Sequence, residues 1–265
     1  TPENLEKFNE LLKNTNGIIL VTGPTGSGKS TTLYAMLNEL NRESVNIITI
    51  EDPVEYRMEG INQIQVNPKA GLTFAAGLRS IVRQDPDIIM VGEIRDSETA
   101  EIAIRSAITG HLVLSTLHTN DAVSAISRLI DMGIEPYLIS ASLAGVISQR
   151  LLRKVCNNCR VPYEIEPHNL SVPGFEVLKG VTLYRGEGCS ACNYTGYKGR
   201  IPAHEILMVS KQHRQMISQK APVDEIRDLS IKMGMSTLKE ECIKLVQMGV
   251  TTIEEVMRVS YSQDS

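Results

Sequence analysis

Residues 23–30 read Gly-Pro-Thr-Gly-Ser-Gly-Lys-Ser, and they constrain the fold of this chain more than any other segment. They match the pattern G-x-x-x-x-G-K-[ST], a loop whose glycines let backbone N–H groups face the phosphates of a nucleotide. This pattern needs a strand before it and a helix after it. The apolar run 17–22 and the segment 31–37 meet both needs, so we expect a strand, a loop and a helix here.

Each fixed position of this loop has its own expected contact. Lys29 supplies positive charge to the β- and γ-phosphates, and the hydroxyl of Ser30 ligates Mg²⁺. The expected ligand is ATP or GTP. The predicted nucleotide-binding set is Gly23, Pro24, Thr25, Gly26, Ser27, Gly28, Lys29, Ser30 and Thr31.

Length, composition and charge limit the class of protein. With 265 residues, 42% of them hydrophobic, the chain can form one large domain with appendages. It has neither an 18-residue apolar run nor an export leader, so we expect a cytoplasmic location and no membrane insertion. The net charge of −4 argues against a protein that coats nucleic acid. Residues 150–200 nevertheless hold eight Lys or Arg against four Glu, a net charge of +4 that marks either a docking face or a solvated surface.

Four short apolar runs each lead directly into polar residues. Residues 18–22 precede the phosphate loop, 46–50 precede Glu51, 88–91 precede Gly92-Glu93, and 111–116 precede Leu117-His118. Continuous apolar runs with helical segments between them are typical of a parallel α/β sheet covered on both faces. Ligands of such sheets bind beyond the carboxyl ends of the strands, so all four polar groups should meet there.

Several helices are predicted between and after these strands. One is capped by Asp96 or Ser97, and a second runs from near Asn120 to Gly133. We count the amphipathic stretch from Tyr137 to Arg153 as a longer third helix with its apolar side in the core. From about Ile206 the pattern is helical again.

Carboxylates at the strand ends are the candidate catalytic groups. Glu93 is the first choice to orient the attacking water, with a surface acid as the alternative. Many phosphate-loop enzymes carry an Asp at the end of this strand to support the metal. Here Gly92 occupies the position just before Glu93, so support of Mg²⁺ should be partly indirect. In the second acidic cluster Pro53 turns the chain, so that Glu55 could reach the metal or the water while Glu51 stays at the strand edge. Three acids in five residues can also be an ordinary loop.

Two histidines and two arginines complete this candidate set. His118 is expected to donate a hydrogen bond to the γ-phosphate, whereas His111, at the other end of its strand, is expected to be structural. Arg79 and Arg83 stand four residues apart, so a helix would place both on one face. They would stabilise phosphoryl charge in their own subunit or a neighbour's, or form salt bridges with carboxylates.

Four cysteines form two C-x-x-C pairs, Cys156 with Cys159 and Cys189 with Cys192, separated by 29 residues. Two such pairs supply the four thiolates of a closed, structural Zn²⁺ site. Disulfides or redox pairs are the alternatives. Cys242 lies in a helical pattern and is expected to be a buried small hydrophobe. His168 lies between the pairs but is not needed as a ligand.

These motifs together resemble the type II/type IV secretion ATPase superfamily over nearly the whole chain, and specifically its type II secretion and pilus-assembly branch. The phosphate loop, residues 50–56, residues 78–96 and residues 109–119 are similar to the family's Walker A, Asp box, atypical Walker B and His box. The resemblance implies that Glu93 is the Walker B carboxylate, Glu55 the essential acid of the Asp box, and His118 with His111 the His box. It also implies a RecA-like core and a homo-hexameric ring.

The resemblance predicts the organisation as well. We expect a RecA-like ATPase core over residues 1–150, an inserted tetracysteine module over 151–205 and a C-terminal helical region over 206–265. Family members carry a further N-terminal domain, which we expect to be missing here. The tetracysteine module favours pilus assembly or secretion over pilus retraction.

The leading functional hypothesis is a Mg²⁺-dependent ATPase at the inner face of the cytoplasmic membrane. It would work through an inner-membrane platform protein of a pilus or secretion machine. The alternatives are a zinc-containing RecA-like nucleic-acid motor, which the acidic net charge disfavours, and a nucleotide-dependent scaffold without turnover.

Overall fold

The computed structural model describes residues 1–261 and divides into two compact units. We call Thr1–Ser148 with Ile206–Met235 the sheet unit, and Gln149–Glu205 with the residues from Ser236 onward the cysteine unit. The strands are β1 (Gly17–Thr22), β2 (Ile47–Glu51), β3 (Asn62–Gln65), β4 (Ile88–Val91), β5 (Leu112–Leu117), β6 (Leu143–Val155), β7 (Arg160–Tyr163), β8 (Leu183–Gly186) and β9 (Tyr197–Met208). The helices are α1 (Pro2–Leu11), α2 (Lys29–Leu40), α3 (Phe74–Ile81), α4 (Ser97–Ile108), α5 (Ser124–Asp131), α6 (Pro136–Ser142), α7 (Lys211–Ser218), α8 (Val223–Lys232), α9 (Leu238–Gln247) and α10 (Ile253–Tyr261).

The sheet has the strand order β3-β2-β4-β5-β1-β6-β9. The pairs β1–β5, β1–β6, β2–β3, β2–β4 and β4–β5 are all parallel. The carboxyl ends of β1, β2, β4 and β5 therefore lie along one edge of the sheet. This confirms the predicted parallel α/β fold.

Both faces of this sheet are buried, as the continuous apolar runs predict. Alternate residues of β1 belong to two different cores, with Ile18 and Leu20 in one, Ile19 and Val21 in the other. Side chains from α3 to α8 complete the first core, and those of α1 and α2 complete the second. The sheet is thus the middle layer of three.

The ends of α4 and α5 agree with the sequence signals. The side chain of Asp96 caps α4 by accepting a hydrogen bond from the N–H of Thr99 at 2.8 Å. Helix α5 lies within the predicted span and is followed by Gly133, which has a φ of 86°. Among the helices of residues 1–261, none is both long and apolar enough to span a bilayer.

The predicted helix from Tyr137 to Arg153 is wrong. Helix α6 ends at Ser142, and the chain continues as the buried strand β6. Periodicity cannot separate a fully buried strand from a buried helix, which explains the error. Gly145 was the sequence signal for a strand, because a glycine within an apolar run often marks a close approach of another backbone. In the structure a Cβ at this position would lie 2.5 Å from Leu11 and 2.8 Å from the carbonyl oxygen of Leu207.

The cysteine unit has its own core. It contains the antiparallel pair β7–β8, helices α9 and α10, and the 3-10 turns Asn169–Ser171, Phe175–Leu178 and Ser190–Cys192. Phe175, Leu183 and Val256 are among its buried side chains. A capping box, with Thr237 and Glu240 bonding each other's backbone N–H, starts α9.

The two units divide the chain differently from the three segments expected from the sequence. Residues 206–261 do not pack as one helical region, because Ile217 of α7 and Ile226 of α8 pack in the core of the sheet unit. Cys242 of α9 and Val256 of α10 pack in the core of the cysteine unit. The apolar side of each helix, and not its position in the chain, decides the unit to which it belongs.

Candidate nucleotide site and thiol cluster

The phosphate loop lies between β1 and α2, as its sequence pattern requires. Gly26 and Gly28 have φ values of 78° and 88°, a backbone conformation that disfavours other residues. The Nζ of Lys29 donates to the carbonyl oxygens of Gly23 at 2.9 Å and Pro24 at 3.0 Å. The N-cap Gly28 brings no side-chain oxygen to the first turn of α2, an arrangement that suits a phosphate group. Ser30 and Thr31 lie in that turn and are exposed.

Glu93 and His118 come together at the carboxyl edge of the sheet. The Oε2 of Glu93 lies 3.7 Å from the Nε2 of His118, and the Glu93 side chain is 15% exposed. Its Oε1 accepts from the guanidinium of Arg95 at 2.5 Å, which raises the pKa of that arginine. Residues 25 positions apart in sequence thus form one polar group.

His111 lies at the opposite end of β5 from His118. Its Nδ1 lies 2.9 Å from the carbonyl oxygen of Ser106, and its own carbonyl oxygen accepts from the N–H of Gly17. These contacts join the end of α4 to the starts of β1 and β5. The structure therefore separates the two histidines of the motif and agrees with the structural interpretation of His111.

Glu51, the last residue of β2, is only 3% exposed. Its carboxylate accepts hydrogen bonds from Thr49 Oγ1 at 2.5 Å, from Gln63 Nε2 at 3.2 Å and from the Tyr34 hydroxyl. Buried carboxylates are stable in the ionised form only when several donors surround them. The sequence predicts Glu51 at the strand edge as a catalytic candidate, but its side chain lies in the interior as the acceptor of three donors.

Glu55, in contrast, is exposed, and the loop that carries it is held from two sides. The N–H of Glu55 donates to the hydroxyl of Tyr34 at 3.1 Å. From β3, Gln65 accepts from the N–H of Val54 at 3.2 Å, and Gln63 accepts from the N–H of Met58 at 2.8 Å. These three hydrogen bonds fix the backbone of the loop, while the Glu55 carboxylate stays exposed at the carboxyl edge of the sheet.

Arg79 and Arg83 do not share a helical face. Helix α3 ends at Ile81, and the N–H of Arg83 bonds to the carbonyl oxygen of Ser80 in the turn that follows. The guanidinium of Arg79 pairs with Glu98, and both side chains are more than half exposed. Of the two contacts predicted for Arg79, the structure shows the salt bridge to a carboxylate.

The four cysteine thiols meet in the cysteine unit within 4.8 Å of one another. The Sγ atoms of Cys156 and Cys189, and those of Cys159 and Cys192, lie 3.9 Å apart, and those of Cys189 and Cys192 lie 3.8 Å apart. A tetrahedral Zn²⁺ with bonds of about 2.3 Å would space its sulfurs by roughly 3.8 Å. The residues present therefore fit a Cys₄ zinc centre.

Backbone N–H groups surround these sulfurs. Gly188 donates to Cys159 Sγ at 3.3 Å, and Cys189 and Gly196 donate to Cys192 Sγ at 3.2 and 3.3 Å. Burial raises the pKa of the Cys192 thiol, but these two N–H donors together with hydrogen bonds from the Cys189 and Cys159 thiols outweigh it and lower that pKa to about 6. N–H donors to sulfur favour the thiolate form that metals bind.

Two other candidates stay outside the cluster. Cys242 is 1% exposed, and burial raises the pKa of its thiol to about 12, as expected for a buried small hydrophobe. His168 pairs with Glu166 at 3.2 Å on the surface.

The sequence pattern gave no role to Tyr34, Gln63 or Arg95. Tyr34 lies within α2, where an aromatic residue is ordinarily read as core. Gln63 lies on the short strand β3, which has no apolar run of its own. Their roles depend on which elements lie side by side, and a local pattern does not contain that information.

Comparisons with known proteins identify the family of this chain. A model of the family described as "Type II/IV secretion system protein" matches residues 1–258. Type II secretion system ATPase E of Vibrio cholerae is 50% identical over 260 residues, covering 98% of this chain and 52% of that protein. Type IV pilus assembly ATPase PilB of Thermus thermophilus is 52% identical over 258 residues, covering 97% of this chain and 29% of that protein.

A solved structure is also similar. The pilus retraction motor PilT, crystallised with bound ADP, superposes with a TM-score of 0.72 at 35% identity, covering 96% of this chain and 64% of that one. The present chain spans about half the length of the secretion relative and under a third of the pilus-assembly relative.

Proposed function

Because the chain belongs to the type II/IV secretion system protein family, we propose that it is the motor part of an ATPase that drives type II secretion or type IV pilus assembly. The observation that carries this proposal is the meeting of Glu93 and His118 at the sheet edge where β1 ends in the phosphate loop. Relatives of both kinds are about 50% identical, whereas the retraction motor is 35% identical. That difference supports assembly or secretion over retraction.

The roles of the residues in this proposal follow from their positions. Lys29 and the N–H groups of Gly23, Gly26, Ser27 and Gly28 would hold the phosphates of ATP, and Pro24, Thr25 and Thr31 would line the same loop. Ser30 would bind Mg²⁺, which neutralises phosphate charge when bound.

The groups beyond the loop would act on the reacting water and phosphate. Glu93 would orient and deprotonate the attacking water, with Arg95 holding one of its oxygens. His118, 3.7 Å from the other oxygen, would donate a hydrogen bond to the γ-phosphate. Glu55 would act from the loop after β2. In a ring, Arg79 or Arg83 would reach a phosphate of its own or a neighbouring subunit.

The remaining parts of the proposal concern the assembly. The four thiolates would hold a structural Zn²⁺ that stabilises the cysteine unit and leaves the hydrolysis to the sheet unit. Six copies would form a ring at the inner face of the cytoplasmic membrane and pass motion to an inner-membrane platform protein. The RecA-like core over residues 1–150 belongs to the same hypothesis.

The decisive experiment measures Mg²⁺-dependent ATP hydrolysis against protein concentration. We expect a specific rate that rises with concentration, because subunits complete one another's sites in a ring. Glu93→Gln should lower kcat by roughly 10²- to 10⁴-fold while ATP still binds, since it removes a positioned base. Glu101→Gln, which changes an exposed acid paired with Arg105, is the matched control.

Single-stranded DNA added to a parallel series separates this proposal from a nucleic-acid motor. Turnover stimulated by DNA would contradict the secretion proposal. ATP binding with unchanged, negligible turnover in both wild type and Glu93→Gln would instead indicate a scaffold.

A further inference from the structure

Tyr34 connects the helix of the phosphate loop to the loop that carries Glu55. It lies on α2 five residues after Lys29, so it is within one and a half turns of the loop. Its hydroxyl accepts the N–H of Glu55 at 3.1 Å and donates to the carboxylate of Glu51. Its ring meets that of Tyr56 edge-on, with the centroids 4.7 Å apart and the planes at 78°.

The donors and acceptors fix the direction of this chain of hydrogen bonds. A backbone N–H can only donate and a carboxylate can only accept, so the Tyr34 hydroxyl must accept from Glu55 and donate to Glu51. Burial, and then the hydrogen bond to Glu51, raise the pKa of Tyr34 to about 12, so the hydroxyl keeps its proton at physiological pH. The hydrogen bonds therefore run from the Glu55 loop through Tyr34 to the buried carboxylate of Glu51, which serves as the anchor.

The anchor is itself fixed. Thr49 and Gln63 also donate to the Glu51 carboxylate, and Glu51 ends a strand paired on both sides with β3 and β4. A shift of α2 would therefore change the Tyr34–Glu55 contact before it moved Glu51. The contacts of Gln63 and Gln65 hold the loop to β3, whereas Tyr34 belongs to the helix that starts at the phosphates.

We propose that Tyr34 is a positioning residue through which nucleotide at the phosphate loop sets the place of Glu55. The role of Glu55 in hydrolysis rests on the proposed function. The coupling between the phosphate loop and Glu55 rests only on the hydrogen bonds of Tyr34. Nucleotide that draws the first turn of α2 toward its phosphates would tighten the Tyr34–Glu55 contact. The acid would then be held more firmly in its working position when nucleotide is present.

Amide hydrogen exchange at residues 54–56 tests the coupling without requiring turnover. In the wild type, a non-hydrolysable ATP analogue with Mg²⁺ should slow exchange of the Glu55 amide. In Tyr34→Phe, which keeps the ring and the Tyr56 contact, exchange should become about 5- to 10-fold faster and lose its response to nucleotide, as expected for one lost hydrogen bond.

Thr49→Val is the matched control. It removes another donor to the same buried carboxylate but does not touch the loop, so it reproduces any general effect of a weakened Glu51. We expect the Glu55 amide of this variant to respond to nucleotide as in the wild type. An equal loss of response in Thr49→Val, or a retained response in Tyr34→Phe, would overturn the proposal.

Kinetics give the second readout. Tyr34→Phe should lower kcat about tenfold with KM for ATP within about twofold, because a positioning contact acts on the reacting geometry and not on binding. In a Glu55→Gln background the same change should have little further effect, since both act through one group. Equal factors in the two backgrounds would contradict the coupling. A wild type that hydrolyses no ATP would overturn the proposed function, and the exchange data would still decide the role of Tyr34.

Discussion

The candidate nucleotide site of the sheet unit and the thiol cluster of the cysteine unit are built in opposite ways. The first gathers side chains from the ends of β1, β2, β4 and β5, and its Glu55, His118 and Ser30 are exposed. The second takes all its sulfurs from two tight turns, and Cys156 and Cys192 are buried. A site that must admit and release a ligand stays open, whereas one that holds a structural ion is closed.

Because the two sites are built differently, mutations should affect them in different ways. The nucleotide site depends on positions fixed by the sheet, so single changes should affect chemistry and leave the fold intact. The thiol cluster lies within a small unit whose few core residues give little reserve, so single changes there should affect folding. Changes at Cys159, Glu255, Lys29 and Arg79 test this contrast.

Cys159→Ser should have the largest effect. It removes one of four thiolates, and a structural Zn²⁺ contributes on the order of 10 kcal/mol to the folding of a small module. Zinc measured by mass spectrometry should fall from about one ion per chain to near zero, and the cysteine unit should lose its protection from proteolysis. ATP affinity should stay within about threefold, because the phosphate loop belongs to the other unit.

Cys242→Ala is the control for this prediction, because Cys242 is a buried thiol outside the cluster. It should retain its zinc. Equal loss of zinc binding and nucleotide binding in Cys159→Ser would break the contrast between the two sites.

Glu255→Gln should lower the stability of the cysteine unit by about 3 kcal/mol. Burial alone would raise the pKa of Glu255, but hydrogen bonds from Arg258 and Arg153 outweigh it and lower the pKa to about 2. Because the folded-state pKa lies below the unfolded one, this stabilisation is complete above about pH 4.5 and disappears as the pH falls toward 2. Urea unfolding followed by circular dichroism at several pH values measures the difference between variant and wild type.

The neighbouring Glu254→Gln is the control for that experiment, since Glu254 is exposed. It should change the free energy of unfolding by less than about 0.5 kcal/mol. A wild-type advantage that persisted undiminished down to pH 2 would contradict the assigned role of the Arg153 and Arg258 hydrogen bonds.

Lys29→Ala should weaken ATP binding by about 100-fold, the effect of losing charge-assisted hydrogen bonds to phosphate. Its zinc content and unfolding midpoint should match the wild type. Lys69→Ala, a change of an exposed lysine on a 3-10 turn, should bind ATP normally. Calorimetric titration with Mg²⁺-ATP gives both affinities, and a fall in zinc content would show that the two sites are not independent.

Arg79→Gln and Glu98→Gln should change stability least. Both break the same exposed salt bridge, which contributes less than about 1 kcal/mol. The pair also separates the two interpretations of Arg79. If the arginine serves phosphate, the rate of hydrolysis falls only in Arg79→Gln. Equal rates in the two variants would reduce Arg79 to a surface ion pair.

The local patterns of the sequence were sufficient for a large part of the molecule. The phosphate loop, the strands β1, β2, β4 and β5, the cap of α4 at Asp96 and the thiol cluster all follow from residues within a few positions of one another. The parallel arrangement then followed from the continuous apolar runs, since such strands need cover on both faces. Glu93 and His118 could be placed together on that basis alone.

Tertiary structure decided the rest. It determined that Glu51 is a buried acceptor, that Tyr34 links two motifs, that Arg79 pairs with Glu98, and that residues 143–155 form a strand and not a helix. It also shared residues 206–261 between two cores. The physical reason is the same in each case: a contact between residues far apart in sequence depends on which strands and helices lie side by side, and the apolar area that each can bury sets that order.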